Sequence, residues 1–300
     1  MRVTSNLQVR DQLNALQTTA RALAAAQLRL TTGKKLQTGS DDPVGARDVM
    51  VADGRLRAIT QYRRGLESAR ARIAVQDNVL DQVSKLLTRA QELAVATATD
   101  TVDAAQRQTV AAEADELLNQ LTALANTKVE NDYLFGGHRV SEAPFTLTGS
   151  GATVDYTTTG ATGDRPVEID AGRVFVPTDD GATLFLDTGV MDAMRDLVQE
   201  LHRPATSGHA TLRAAGRALT SAFDRVQERI GSLGARSGTL DLVAANLDAF
   251  EGSLTAQRSA ILDVDVEQAA VDLVSRQNAY QSALLASSKV LGLNLSDYLR

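Results

Sequence analysis

The sequence predicts a mainly α protein, an elongated antiparallel helical bundle or coiled coil built from both chain ends, with a small β-rich inserted domain. Three observations predict it. Apolar residues recur alternately three and four apart over long runs near both ends, the spacing of helices that pack lengthwise. From Tyr133 to about Leu186 that spacing stops and the text turns to Gly, Thr, Asp and Val. Aromatic residues make up only 4% of the 300 and Trp is absent, while Ala and Leu abound, which favours packed helices over a ligand-lined core.

The first seam runs Val9, Leu13, Leu16, Ala20, Leu23, Gln27, Leu30. After it comes LTTGKKLQTGSDDPVGA, residues 30 to 46, polar and punctuated by glycine. A phosphate-binding loop needs an earlier partner glycine and a position between strand and helix, and Gly33-Lys34-Lys35 has neither. Asp41 and Asp42 lack the further oxygen ligands that a calcium or magnesium site requires. A helix start accounts for the stretch better: Ser40 or Asp42 caps, and Pro43 occupies the first turn. A second seam spans Tyr62 to Ala94 through Ile73, Gln76, Leu80 and Leu87, and a third spans Val110 to Leu124. Runs such as ATVDYTTT and RVFVP, set between turn-like TGD and DDG, predict short hairpins in the insert.

Helical spacing returns after Asp187. Leu212, Leu219, Val226, Leu233, Leu240, Leu247 and Leu254 recur every seven residues, and the register passes through Gly231, Gly234 and Gly238 without slipping. One long helix is therefore expected, although each glycine costs about 1 kcal/mol in a helix interior. The last seam is Val266, Ala270, Leu273, Gln277, Tyr280, Leu284, Leu291, Leu295. Asp263, Asp265 and Glu267 stand at its entry, where negative charge suits a helix start without any metal.

No catalytic constellation emerges. The three histidines, His138, His202 and His209, have no metal-ligand spacing and are expected on surface loops. No glycine-flanked serine with a usable His appears. The chain has no Cys, which removes disulfides and thiolate sites together. Residues 1 to 70 hold 12 Lys/Arg against 6 Asp/Glu, and the rest holds 19 against 31. The basic start lacks interleaved aromatics, so nucleic acid is not an expected partner. No cleavable signal peptide is visible and no run reaches the roughly 20 apolar residues of a membrane span, so no membrane insertion is expected.

Three stretches carry a family resemblance: LTTGKKLQTGSDDPVGA with the long seam after it, DYLFGGHRVSEAPF, and the terminal AAVDLVSRQNAYQSALLASSKVLGLNLSDYL. The first and last resemble the paired terminal regions of bacterial flagellins and their relatives. The opening MRVTSNL and DYLFGGHRVSEAPF resemble the hook-associated members at the hook-filament junction more than flagellin itself, which is the alternative. Gly136 stands where that family commonly has Ser. The resemblance covers about residues 1 to 145 and 187 to 300.

The resemblance implies a structural, non-enzymatic subunit with no cofactor. It implies export unfolded through the flagellar channel, helped by a flagellar export chaperone, and an extracellular place on the flagellum. Its implied partners are copies of itself, the adjoining hook-associated protein on the hook side, and flagellin on the filament side. The expected organisation is terminal assembly helices at 1–40 and 260–300, a long-helix rod at 41–132 and 187–259, and the β-rich insert at 133–186. Antiparallel pairing of the ends would set Val9, Leu13, Leu16, Leu23 and Leu30 beside Val266, Leu273, Tyr280, Leu284 and Leu291. It would bring Leu30 near Val266 and Arg29 near Asp263 and Glu267, with residual apolar surface left for neighbouring subunits.

Overall fold

The structure is a computed structural model that describes residues 2–98, 104–203 and 209–298. Six helices dominate it: α1 (Arg2–Thr32), α2 (Pro43–Thr97), α3 (Ala104–Ala125), α4 (Val190–His202), α5 (His209–Leu262) and α6 (Val266–Tyr298). Between α3 and α4 lie three separate antiparallel hairpins, β1 (Lys128–Val129) with β2 (Asp132–Tyr133), β3 (Phe145–Thr148) with β4 (Asp155–Thr158), and β5 (Val167–Asp170) with β6 (Arg173–Phe175). The chain forms two compact units, residues 1–58 with 249–300, and residues 59–248; α2 and α5 contribute to both. Among the described residues no helix is long and apolar enough to cross a membrane, and no cluster of His, Asp or Glu could hold a metal ion.

Residues 59–248 contain the core. Leu66, Ile73, Leu80 and Leu87 of α2 are buried, as are Leu118 and Leu121 of α3 and Leu219, Val226, Leu233 and Leu240 of α5. The heptad register read in the sequence is thus the packing register, and α5 is unbroken through its glycines. Ion pairs border the packed stripe, Arg70 to Asp241 at 2.6 Å and Arg63 to Asp248. These are exposed pairs that contribute about 0–1 kcal/mol each, so apolar burial dominates. Arg107 of α3 donates to the last carbonyls of α4, those of Glu200 and Leu201, and so occupies orphan acceptors at that helix end.

The insert is organised by aromatic burial more than by sheet. Phe135 and Phe145 each meet Phe185 edge to face, with ring centroids 5.2 and 5.5 Å away. Asn126 serves Phe145 as a strand partner would, donating to its carbonyl and accepting from its N–H. The strand region begins at Lys128, earlier than the expected Tyr133, because Glu130 takes a left-handed turn (φ 58°) that closes β1 on β2. A single π-helical turn, Ala182–Leu186, returns the chain toward α4.

Two other expectations need correction. His202 is not on a loop: it ends α4, and its Nε2 lies 2.8 Å from Asp115 Oδ2 on α3. His209 opens α5, and its side chain lies outside those described. His138 is exposed beside Gly137, as expected.

Candidate assembly surface

The polar stretch after α1 is a helix stop followed by a helix start. Gly33 takes φ 67°, the left-handed conformation that ends a helix cheaply. Asp41 then accepts from the N–H groups of Gln37 and Thr38, folding the connector on itself. Those bonds, the Thr38 N–H first, hold the Asp41 carboxyl below its usual range. Asp42 Oδ1 accepts from the N–H of Val44 at 3.1 Å and of Gly45 at 3.0 Å, so Asp42, not Ser40, caps α2, with Pro43 in its first turn.

Asp265 performs the same service for α6, accepting from the N–H groups of Glu267 and Gln268. Asp42 and Asp265 are therefore helix caps, and Asp41 braces the connector between helices. The two helix breaks are also stitched to each other. Lys35 N–H donates to the Leu262 carbonyl at 2.7 Å, and Val264 N–H donates to the Gly33 carbonyl at 2.9 Å, an antiparallel bridge that pairs Lys34 with Asp263.

That bridge sets the antiparallel register in which α1 and α6 pack together. Among the described residues of these two helices Ala26 and Ala269 are the buried positions, and they line a shared groove with Arg29, Asp263 and Asp265. Leu16, Leu23 and Leu30 of α1, with Leu273 and Tyr280 of α6, are half-buried on their helices. Leu13, Val266 and Leu284 are exposed, by 50%, 61% and 42%. Val9 and Leu291 lie on α1 and α6, but their side chains lie outside those described. The leucine seam of the sequence thus divides between a partly covered face and a bare one. Leucine spacing could not reveal this, since the buried positions among the described residues are alanines, small enough to hide wherever they fall.

Counted over the described residues, the two units differ sharply in what they do with apolar side chains. Of 45 buried hydrophobic residues, only Ala26, Ala52, Leu254 and Ala269 belong to residues 1–58 and 249–300. Of 15 exposed large hydrophobics, 12 belong to that unit, among them Met50, Phe250, Val271, Val274 and Leu285. An isolated soluble domain does not usually leave so much apolar surface bare beside so little core; such surface marks interaction sites. The chemistry available there is association, not turnover.

Among the described residues, the unit made of both chain ends thus has little core of its own, while residues 59–248 are well packed. Residues 3–139 match the family model for the bacterial flagellin N-terminal helical region. The flagellar hook-associated protein 3 of Escherichia coli is 26% identical over 286 residues, 89% of this chain and 90% of that protein. Flagellin FlaB2 of Treponema pallidum is 24% identical, over 87% of this chain and 86% of its own length. Among solved structures, a putative flagellar hook-associated protein from Vibrio parahaemolyticus superposes with a TM-score of 0.67 at 19% identity, covering 74% of this chain and 100% of that one. The chain thus shares the fold of that solved hook-associated protein and is similar in sequence, along most of its length, to proteins of the flagellum.

Proposed function

We propose that the chain is a structural subunit that joins hook to filament in the bacterial flagellum and assembles with copies of itself through the paired chain ends. The observation that carries this reading is the placement of apolar side chains: among the described residues, 12 of the 15 large exposed ones lie in the unit that holds four of the 45 buried ones. Burial of such a surface between subunits would supply the association energy, at roughly 25 cal/mol per Å² of apolar area removed from water. In this proposal residues 1–40 and 260–300 are the assembly helices, 41–132 and 187–259 the rod that carries them, and 133–186 the outward insert. The partners are a second copy, a hook-associated neighbour on one side and flagellin on the other. Export unfolded, with a chaperone, delivers the subunit outside the cell.

The second reading is that the chain is a filament subunit, which the likeness to a flagellin favours. Immunogold labelling of isolated hook-filament structures decides between them. Label confined to a band at the junction is expected, and label along the whole filament would assign the chain to the filament instead.

A further inference from the structure

Within residues 59–248, one level of the helical body is built unlike the rest. Gln76 of α2 occupies a seam position and is fully buried, where Ile73 and Leu80 on either side are apolar. Its Oε1 accepts from the N–H of Asp179, at 3.1 Å, at the end of the insert. Asp179, itself 6% exposed at its side chain, accepts from Arg236 of α5 at 2.7 Å. The second guanidinium nitrogen, Arg236 Nη1, is buried and has no hydrogen-bond partner among the described residues. A polar layer left partly unsatisfied holds its arrangement less firmly than an apolar one.

The same level of α5 carries Gly231, Gly234 and Gly238 within eight residues, and a Cβ at any of the three would meet nothing within 4 Å. No packing inside the chain requires glycine there, yet each weakens the helix relative to alanine by about fivefold in the local equilibrium. Gly231-Ser232 and Ser237-Gly238 are also the Gly/Ser pairs at which helices kink. Ser232 bonds back to the Arg229 carbonyl at 2.9 Å and Thr239 to that of Ala235 at 3.0 Å, contacts that compete with the helix's own ladder.

We propose that residues 229–240 of α5 are a bending segment, latched by Asp179, which ties Arg236 on α5 and Gln76 on α2 to the end of the insert. When the Asp179–Arg236 pair opens, α5 bends at its glycines; when it closes, the helix and the insert are held in the arrangement described here. The insert thereby acts as the clasp of the long helix pair.

Hydrogen–deuterium exchange on the full chain, read by peptide, tests this. Amides in 229–240 are expected to exchange faster than those of α5 at 219–226 and 243–247. Gly231→Ala/Gly234→Ala/Gly238→Ala should slow exchange in that segment alone, by about tenfold or more. Asp179→Asn should accelerate exchange in the same segment and leave the two flanks unchanged. If Asp179→Asn does not fold, Arg236→Lys, which keeps the charge and loses the planar fork, is read on the same peptides with the same expectation. Wild-type exchange no faster at 229–240 than in the flanks, or acceleration spread evenly along α5 in the latch variant, would overturn the proposal.

Discussion

Gly137 illustrates how much a single position in the DYLFGG motif constrains. It sits at φ 52°, and a Cβ there would overlap the carbonyls of Thr162 and Gly160. Gly137→Ala therefore combines left-handed strain with a backbone collision, and should lower stability by about 1–3 kcal/mol, read as a lower thermal midpoint with unchanged helical content. Asp180, just before the π-helical turn, adds a titratable contribution there. Burial pushes its carboxyl up, but the Thr183 hydroxyl and the N–H groups of Gly163 and Thr183 outweigh this and hold it below the usual carboxylate value. A depressed folded pKa stabilises the protein above the unfolded value and loses that contribution as pH falls through the folded one. The thermal midpoint of the wild type should therefore exceed that of Asp180→Asn at pH 7, and the gap should close as pH falls through and below the folded pKa. A gap independent of pH would mean that the carboxylate's hydrogen bonds do not stabilise the turn.

Helices, hairpins and caps were legible in the sequence to different depths, and the reason is the range of the interactions that make them. The seven-residue spacing from Leu212 to Leu254 and the Asp42-Pro43 start are set within a turn or two of chain, so α5 and the start of α2 follow directly from the residues. The aromatic cluster is set by residues 40 and 50 positions apart: nothing local in Phe135, Phe145 or Phe185 announces that three fully buried rings meet. Gln76 reads in sequence as one polar residue in a seam, and only the return of Asp179 to it explains its burial. In α1 and α6 the spacing located the helices but not the covered face, since Ala26 and Ala269 do the hiding while Leu13, Val266 and Leu284 stay exposed. Phe185→Ala should cost about 3–5 kcal/mol by removing the ring that both other phenylalanines touch. Denaturant unfolding should register it as a fall in midpoint with little change in slope, and a loss under 1 kcal/mol would demote the cluster from its organising role.

Division of labour between the two units makes the assembly proposal testable on the whole molecule. A fragment of residues 59–248 retains 41 of the 45 buried hydrophobic residues among those described and should fold alone, with a cooperative melt. Its failure to fold would mean that the chain ends are part of one core with the rest. The sharper experiment places one carboxylate in each kind of seam. Leu233 is 1% exposed among the packed leucines of α5, and Leu233→Asp would forfeit about 1.5–3 kcal/mol of burial and add the cost of desolvating a charge. The monomer's midpoint should drop by several degrees or its fold be lost. Leu284 is 42% exposed on α6, so Leu284→Asp removes little that the monomer buries and should leave its midpoint nearly unchanged. If Leu284 is covered by a second copy in the flagellum, the cost falls on association instead. A strain lacking its own hook-associated protein should then regain swimming with the wild-type chain and not with Leu284→Asp, although the purified variant melts normally. Equal loss of monomer stability from both substitutions would return Leu284 to the core, and normal swimming with Leu284→Asp would remove it from the assembly surface.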